Sequence, residues 1–177
     1  MSGRLRSMAL AMTCVAAAVA LTGGCSSKEE GRYYDDKEDF SIRFPDDWEV
    51  VEEFMGTRVF GRSPQSGADD QFQENVNVVV EKVGSVTLEE YDKISMANVA
   101  RIVTDYRLID SGPTTLGGEP GRRMVMSHRM GQYSIMASCH FAVKDGRAYV
   151  VTCTALEDSY DQFAQKFDDI VKTFRFE

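Results

Sequence analysis

Between Arg122 and Ala155 three strand-like stretches follow one another: RRMVMSHRM (122–130), YSIMASCHFAV (133–143) and RAYVVTCTA (147–155). Only two or three residues separate them, far too few for the crossover that a parallel pair requires. Consecutive stretches must therefore pair antiparallel, as a meander. The breaks carry turn residues, Gly131-Gln132 and Asp145-Gly146. Five more stretches rich in β-branched and aromatic residues come earlier: FSIRF (40–44), WEVVE (48–52), TRVFG (57–61), NVNVVVEKV (75–83) and YRLID (106–110). An antiparallel sheet is the frame, and the rest of the chain has to cover it.

Two segments switch to helical period. The first opens at Thr87 with Glu90 three places on, the pattern of a capping box, and runs to about Thr104 with Leu88, Tyr91, Ile94 and Ile102 on one side. The second follows Ser159, with Gln162 at the matching position. Its apolar residues, Tyr160, Phe163, Ala164, Phe167, Ile170, Val171 and Phe174, form one continuous helical face. That face is read as core, packed on the sheet. Trp48, shortly after Pro45, is read as a core plug at the sheet edge. The expected class is α+β, with an antiparallel sheet flanked by helices in one domain over residues 40–177, long enough to bury a real core. No internal repeat is visible.

The N-terminus has a different character. Arg4 and Arg6 precede an apolar run from Met8 to Leu21, after which Gly23 and Gly24 break the pattern. This is the layout of a secretory signal peptide, too short to span a bilayer. Leu21-Thr22-Gly23-Gly24-Cys25 resembles the lipobox of bacterial lipoproteins, in which the cysteine sulfur is acylated and the leader, residues 1–24, is cut off before it. Thr22 stands where a branched aliphatic is usual. The alternative is an A-x-A cleavage site at Ala18-Val19-Ala20, which would release a soluble protein. Residues 25–39 then read as a lipidated, flexible acidic tether, spanning about 20 Å.

Net charge is −8, and removal of residues 1–24 takes away two arginines and no acid, leaving −10. That excess argues against nucleic acid as a partner. It also opposes adsorption to anionic lipid, so acyl chains on Cys25 would be what holds the protein to a bilayer. The acids Asp35, Asp36, Glu38 and Asp39 lack the turn glycine and spacing of a calcium loop and read as a solvated run.

Candidate chemistry is sparse. Neither G-x-S-x-G, nor a P-loop, nor H-E-x-x-H occurs. Pairing through Gly131-Gln132 sets His128 opposite Ile135, which leaves His140 roughly 17 Å away, too far to share a metal. Both are read as satisfied strand histidines. LGGEPG (116–121) leads into a strand, so it reads as a turn and not as a phosphate loop. No metal, cofactor or catalytic group is expected.

Cys139 and Cys153 sit on the last hairpin, in a compartment that permits a disulfide. A two-residue Asp145-Gly146 turn pairs Cys139 with Thr152 and points the thiols to opposite faces; a three-residue loop puts them on one face. The segment GRSPQSGADDQFQ (61–73) joins two strands without periodicity and is expected to be a mobile, partner-binding loop, with Asp69, Asp70 and an exposed Phe72 as its contacts.

FSIRFPDDWEV, NVNVVVEKVGSVTLEEY, YRLIDSGPTTLGGEPGRRMVM and the closing KDGRAYVVTCTALEDSYDQFAQKFDDIVKTFRF together resemble the PsbP-like family, in particular bacterial lipoproteins of the DcrB type. The resemblance covers nearly all of residues 40–177. It implies an α/β/α sandwich around an antiparallel sheet. It implies no reaction, because members serve as photosynthetic assembly factors, a nuclear transport cofactor and lipoproteins of unclear role. The expected function is that of an exported, lipid-anchored, non-enzymatic accessory or assembly module of the bacterial envelope, facing periplasm or exterior and contacting an envelope protein. The alternative is a lipoprotein that binds a small molecule or ion.

Overall fold

The computed structural model describes residues 28–177; Cys25 and the expected leader lie outside the described residues. In chain order the elements are β1 (Arg32–Asp35), β2 (Phe40–Arg43), β3 (Glu49–Glu52), β4 (Val59–Arg62), β5 (Asn75–Lys82), α1 (Leu88–Ile102), β6 (Thr104–Leu116), β7 (Glu119–Met130), β8 (Tyr133–Lys144), β9 (Arg147–Leu156), α2 (Tyr160–Lys172) and β10 (Arg175–Phe176). Seven strands form an antiparallel sheet in the order β3-β4-β5-β9-β8-β7-β6. All eight expected stretches are strands. FSIRF, however, leaves the main sheet as β2 and pairs with β1 and β10 in a second, three-stranded one.

Both meander turns are two-residue turns. His128 pairs with Ile135 and Cys139 with Thr152. Cys153 is opposite Ser138, so the two thiols point to opposite faces and no disulfide forms; both cysteines are free and buried. The turn between β6 and β7 is Gly117-Gly118, both at positive φ. A side chain at Gly117 would also meet the Phe176 ring at 2.8 Å, so backbone and packing both call for glycine there.

Strand alternation divides the sheet's side chains between two layers. On one face Val76, Val78, Val151, Cys153 and Ala155 pack with Phe167, Ile170 and Val171 of α2 and with Phe40 and Ile42 of β2. Trp48 joins this core. Phe40 stacks on Phe174 at 5.4 Å, and Phe176 meets Tyr149 edge-on at 4.9 Å. The small sheet thus shares the α2 layer. On the opposite face Met124, Met126, Ala137 and Cys139 lie beneath Met96 and Val99 of α1, and Phe141 beneath Tyr91. None of the helices among the described residues is long and apolar enough to cross a membrane.

The flexible tether extended to residue 39 in the sequence reading, but residues 32–35 are paired as β1. The reason is Asp35, which is buried and not solvated. Its carboxylate accepts hydrogen bonds from Arg58 Nε at 2.7 Å and from the backbone N–H groups of Lys37 and Glu38 at 3.0 and 3.1 Å. Tyr33 donates to it as well and packs on Phe40. Four residues with such anchors are enough for a strand.

Each helix departs from expectation in one respect. At α1 the capping box is present, with Thr87 Oγ1 accepting from Glu90 N–H and Glu90 accepting from Thr87 N–H. Yet only Tyr91 of its apolar set is buried, and Ile102 is 79 % exposed. At α2 the apolar face is buried as expected, but Ser159 caps nothing, because its hydroxyl donates to the buried Glu74 at 3.3 Å.

Candidate functional site

The two faces of the sheet are covered unequally. On the α1 side β7 and β8 present Met124, Met126, Cys139 and Phe141, and β5 and β9 add Val79 and Val150. The only fully buried side chain of the helix is Tyr91, whose ring meets Phe141 edge-on at 5.5 Å and whose hydroxyl donates to Glu81 at 2.9 Å; Met96 and Val99 are only partly buried against the sheet, and Asp92 pairs with Arg122 of β7 at 2.9 Å. Between these contacts a cleft of about 440 Å³ remains, walled on the helix side by Ile94, Val99 and Ile102. Such a volume lies within the range of small-ligand sites, about 300–1,000 Å³. Burial raises the Tyr91 hydroxyl above its ordinary pKa, and the Glu81 carboxylate adds to the rise. Burial likewise raises the Cys139 thiol. Neither group is ionised near neutrality, and the cleft is mainly apolar, with Glu81, Ser95, Asn98 and Thr152 as its other polar side chains.

The α2 side is sealed over most of its area, but at the β6–β7 end it holds a polar cleft of about 470 Å³. His140 of β8 and Arg123 of β7 are direct cross-strand partners, while Asp168 and Lys172 approach from α2. His140 is 5 % exposed, and its Nδ1 is buried without a hydrogen-bond partner. Burial and, secondarily, the Arg123 charge push the imidazole down to about 4, partly opposed by Asp168. At neutral pH the ring is uncharged. Arg123 is held by Asp110 at 2.7 Å. The cleft can host a small polar group, but it pairs no nucleophile with a base. The expectation of a satisfied His140 is corrected, since its burial left the ring nitrogen unmatched. His128 Nδ1 is also unpartnered, and burial lowers its pKa.

The loop expected to bind a partner is folded onto the body. Phe72 is 9 % exposed and packs on Tyr133 at 5.7 Å, which corrects the expectation of an exposed anchor. Asp70 closes the loop on itself, accepting from Ser66 N–H at 2.8 Å and Phe72 N–H at 3.1 Å. These backbone bonds hold its carboxyl below the usual range. Asp69 alone of the three is fully exposed. At the loop's end Ser63 donates to the buried Glu74 at 3.0 Å. No three His, Cys, Asp or Glu side chains among the described residues could hold a metal together. Sequence patterns missed both clefts: the α1 cleft depends on how far a helix stands from a sheet, and the α2 cleft on which strand residues share a face.

The PsbP family model matches residues 29–109. Among solved structures, cyanobacterial PsbP (CyanoP) from Synechocystis sp. PCC 6803 superposes with a TM-score of 0.59 at 18% identity, covering 88% of this chain and 99% of its own. LpqN of Mycobacterium tuberculosis, described as involved in cell envelope biogenesis, gives 0.60 at 15% identity, covering 77% of this chain and 82% of its own. PA94 from Pseudomonas aeruginosa, of unknown function, gives 0.59 at 12% identity, covering 80% and 93%. No curated protein matches in sequence.

Proposed function

We propose that this chain, matched by the PsbP family model over residues 29–109 and sharing the fold of CyanoP and LpqN, is a PsbP-like, lipid-anchored, non-enzymatic accessory protein of the bacterial envelope that acts by binding. The observation that carries this reading is the unequal covering of the sheet, which leaves a mainly apolar cleft beside a helix with one fully buried side chain. A mainly apolar site whose single carboxylate, Glu81, is already engaged by the Tyr91 hydroxyl suits holding, not turnover. The lipobox-like Leu21–Cys25 segment supports the anchor, as does the acidic charge, which would keep an unacylated domain off anionic lipid. The involvement of LpqN in cell envelope biogenesis supports the compartment.

Membrane fractionation with intact mass measurement tests the anchor. Mature protein is expected to begin at Cys25, to carry acyl chains and to sediment with membranes, and Cys25→Ala is expected to stay soluble. Normal membrane retention of Cys25→Ala, or a soluble wild-type product starting at Leu21, would overturn it. A second reading, a small polar ligand in the α2-side cleft, is favoured by the unpartnered His140. A ligand there should raise the Tm of the wild type and leave that of His140→Phe unmoved.

A further inference from the structure

We propose that the cleft between α1 and the sheet holds a single acyl chain of an uncharged glycerolipid, with the C-terminal half of α1 as its movable wall. The proposal rests on the binding-module reading and names the ligand class. Three observations carry it.

The first is shape. The space already has a helix on it, so a second helix or another copy's strand finds no room beneath α1, whereas a thin, flexible chain does. At about 30 Å³ for each small group in a liquid, the 440 Å³ of the cleft accommodates on the order of a dozen methylenes. The second is charge. Glu81 is the one charged side chain in the wall, and its carboxylate already accepts the Tyr91 hydroxyl at 2.9 Å. Among the described residues no cation lines the cleft to receive a fatty-acid carboxylate, and the chain as a whole is acidic. Ser95 and Asn98, by contrast, offer a hydroxyl and an amide to an ester or glycerol group. The third is the seating of the helix. Its N-terminal end is fixed by the capping box, by Tyr91 against Phe141 and by Asp92 on Arg122, whereas further along only the partly buried Met96 and Val99 touch the sheet and Ile94 and Ile102 are 50 % and 79 % exposed. Those two side chains gain apolar contact only when something fills the cleft.

The test uses the full-length acylated protein in phosphatidylcholine vesicles containing a monoacylglycerol with a diazirine at the end of its chain. After irradiation, adducts are mapped by peptide mass spectrometry. They are expected on peptides carrying Met124, Met126 and Cys139 and on α1. The double variant Ile94→Glu/Ile102→Glu, altered only at exposed positions, should keep its Tm and lose roughly tenfold of this labelling, about the factor expected for one apolar side-chain contact. Diazirine palmitate, an anion, should label the same peptides more weakly. Adducts scattered over the surface, labelling indifferent to the double variant, or cross-links joining the clefts of two copies would overturn the proposal. Equal labelling by palmitate would overturn the uncharged headgroup. Flotation separates this from the anchoring reading: protein that floats with the vesicles but carries no cleft adducts refutes the acyl chain alone. Protein that does not float refutes the anchor, and labelling of the soluble protein by the dispersed probe then decides the cleft.

Discussion

Asp35 lies in a run of acids, yet its carboxylate is enclosed by Arg58, Tyr33 and two backbone N–H groups. Burial acts to raise its pKa, but the Arg58 hydrogen bond and the N–H groups of Glu38 and Lys37 outweigh it and hold the carboxyl below its ordinary value. A carboxyl with a depressed folded pKa contributes stability that is complete above the unfolded value, about 3.9, and disappears as pH falls through the folded one. Arg58→Ala leaves this charge buried and uncompensated, and should destabilise by about 3 kcal/mol in urea unfolding at pH 7. Asp35→Asn should flatten the loss of stability below about pH 4. An unchanged urea midpoint for Arg58→Ala would show that Asp35 reaches solvent. Cys139 and Cys153 give a second test at this scale. Burial raises both thiols, and thiols held protonated react slowly. Alkylation should be slow in the native protein. Under denaturing, non-reducing conditions it should modify both Cys139 and Cys153, and modification of neither would mean that the strands had slipped to bring the cysteines to one face.

The helices show how far periodicity carries. The α2 face was legible because aromatic and branched residues at Tyr160, Phe163, Phe167, Ile170, Val171 and Phe174 fit one stripe, which is buried except at the partly buried Phe163. The start of α1 was equally legible, since Thr87 and Glu90 interact within four residues. Its seating was not, because the stand-off between helix and sheet is set by side chains from β5, β7, β8 and β9 that no local pattern connects. The same holds for β1 and β10, whose four and two residues are too short to show alternation. It holds also for Phe72, which the turn at Asp70 folds inward against a residue 61 positions away. A helix with one buried side chain should open more readily than one with four. Amide exchange should therefore be faster in α1 than in α2. Thr87→Ala, which removes the cap at about 1 kcal/mol, should speed α1 exchange about fivefold while leaving α2 and β9 unchanged. Uniform acceleration across the molecule would mean that α1 unfolds only with the whole domain.

At the scale of the molecule, the ordered N-terminal edge changes how an anchor at Cys25 would present the domain. Glu29 is tied to Arg175 at 2.8 Å and to Arg32 at 3.2 Å, and Lys28 to Asp36 at 2.8 Å. The free tether therefore does not extend from residue 25 to residue 39. From Cys25 to Glu29 the chain can span at most about 14 Å. The end of the body formed by β1 and the turn after it must then rest close to the headgroups, whatever the orientation of the rest. The Gly131-Gln132 turn lies at the far end of β8 from Asp145, and Arg147, just past Asp145, is ion-paired to Asp39 beside that N-terminal edge. The length of β8 separates the two ends by about 40 Å. With acylated protein on phosphatidylcholine vesicles bearing a headgroup nitroxide, a fluorophore at Lys37→Cys should be quenched strongly and one at Gln132→Cys weakly. Inserting ten Gly-Ser residues after Ser26 should reduce the difference, since a flexible linker of that length adds a span of roughly 17 Å. Equal quenching at the two positions without the insertion would mean that the ion pairs at Glu29 open on the membrane and that the domain hangs on a longer, mobile chain.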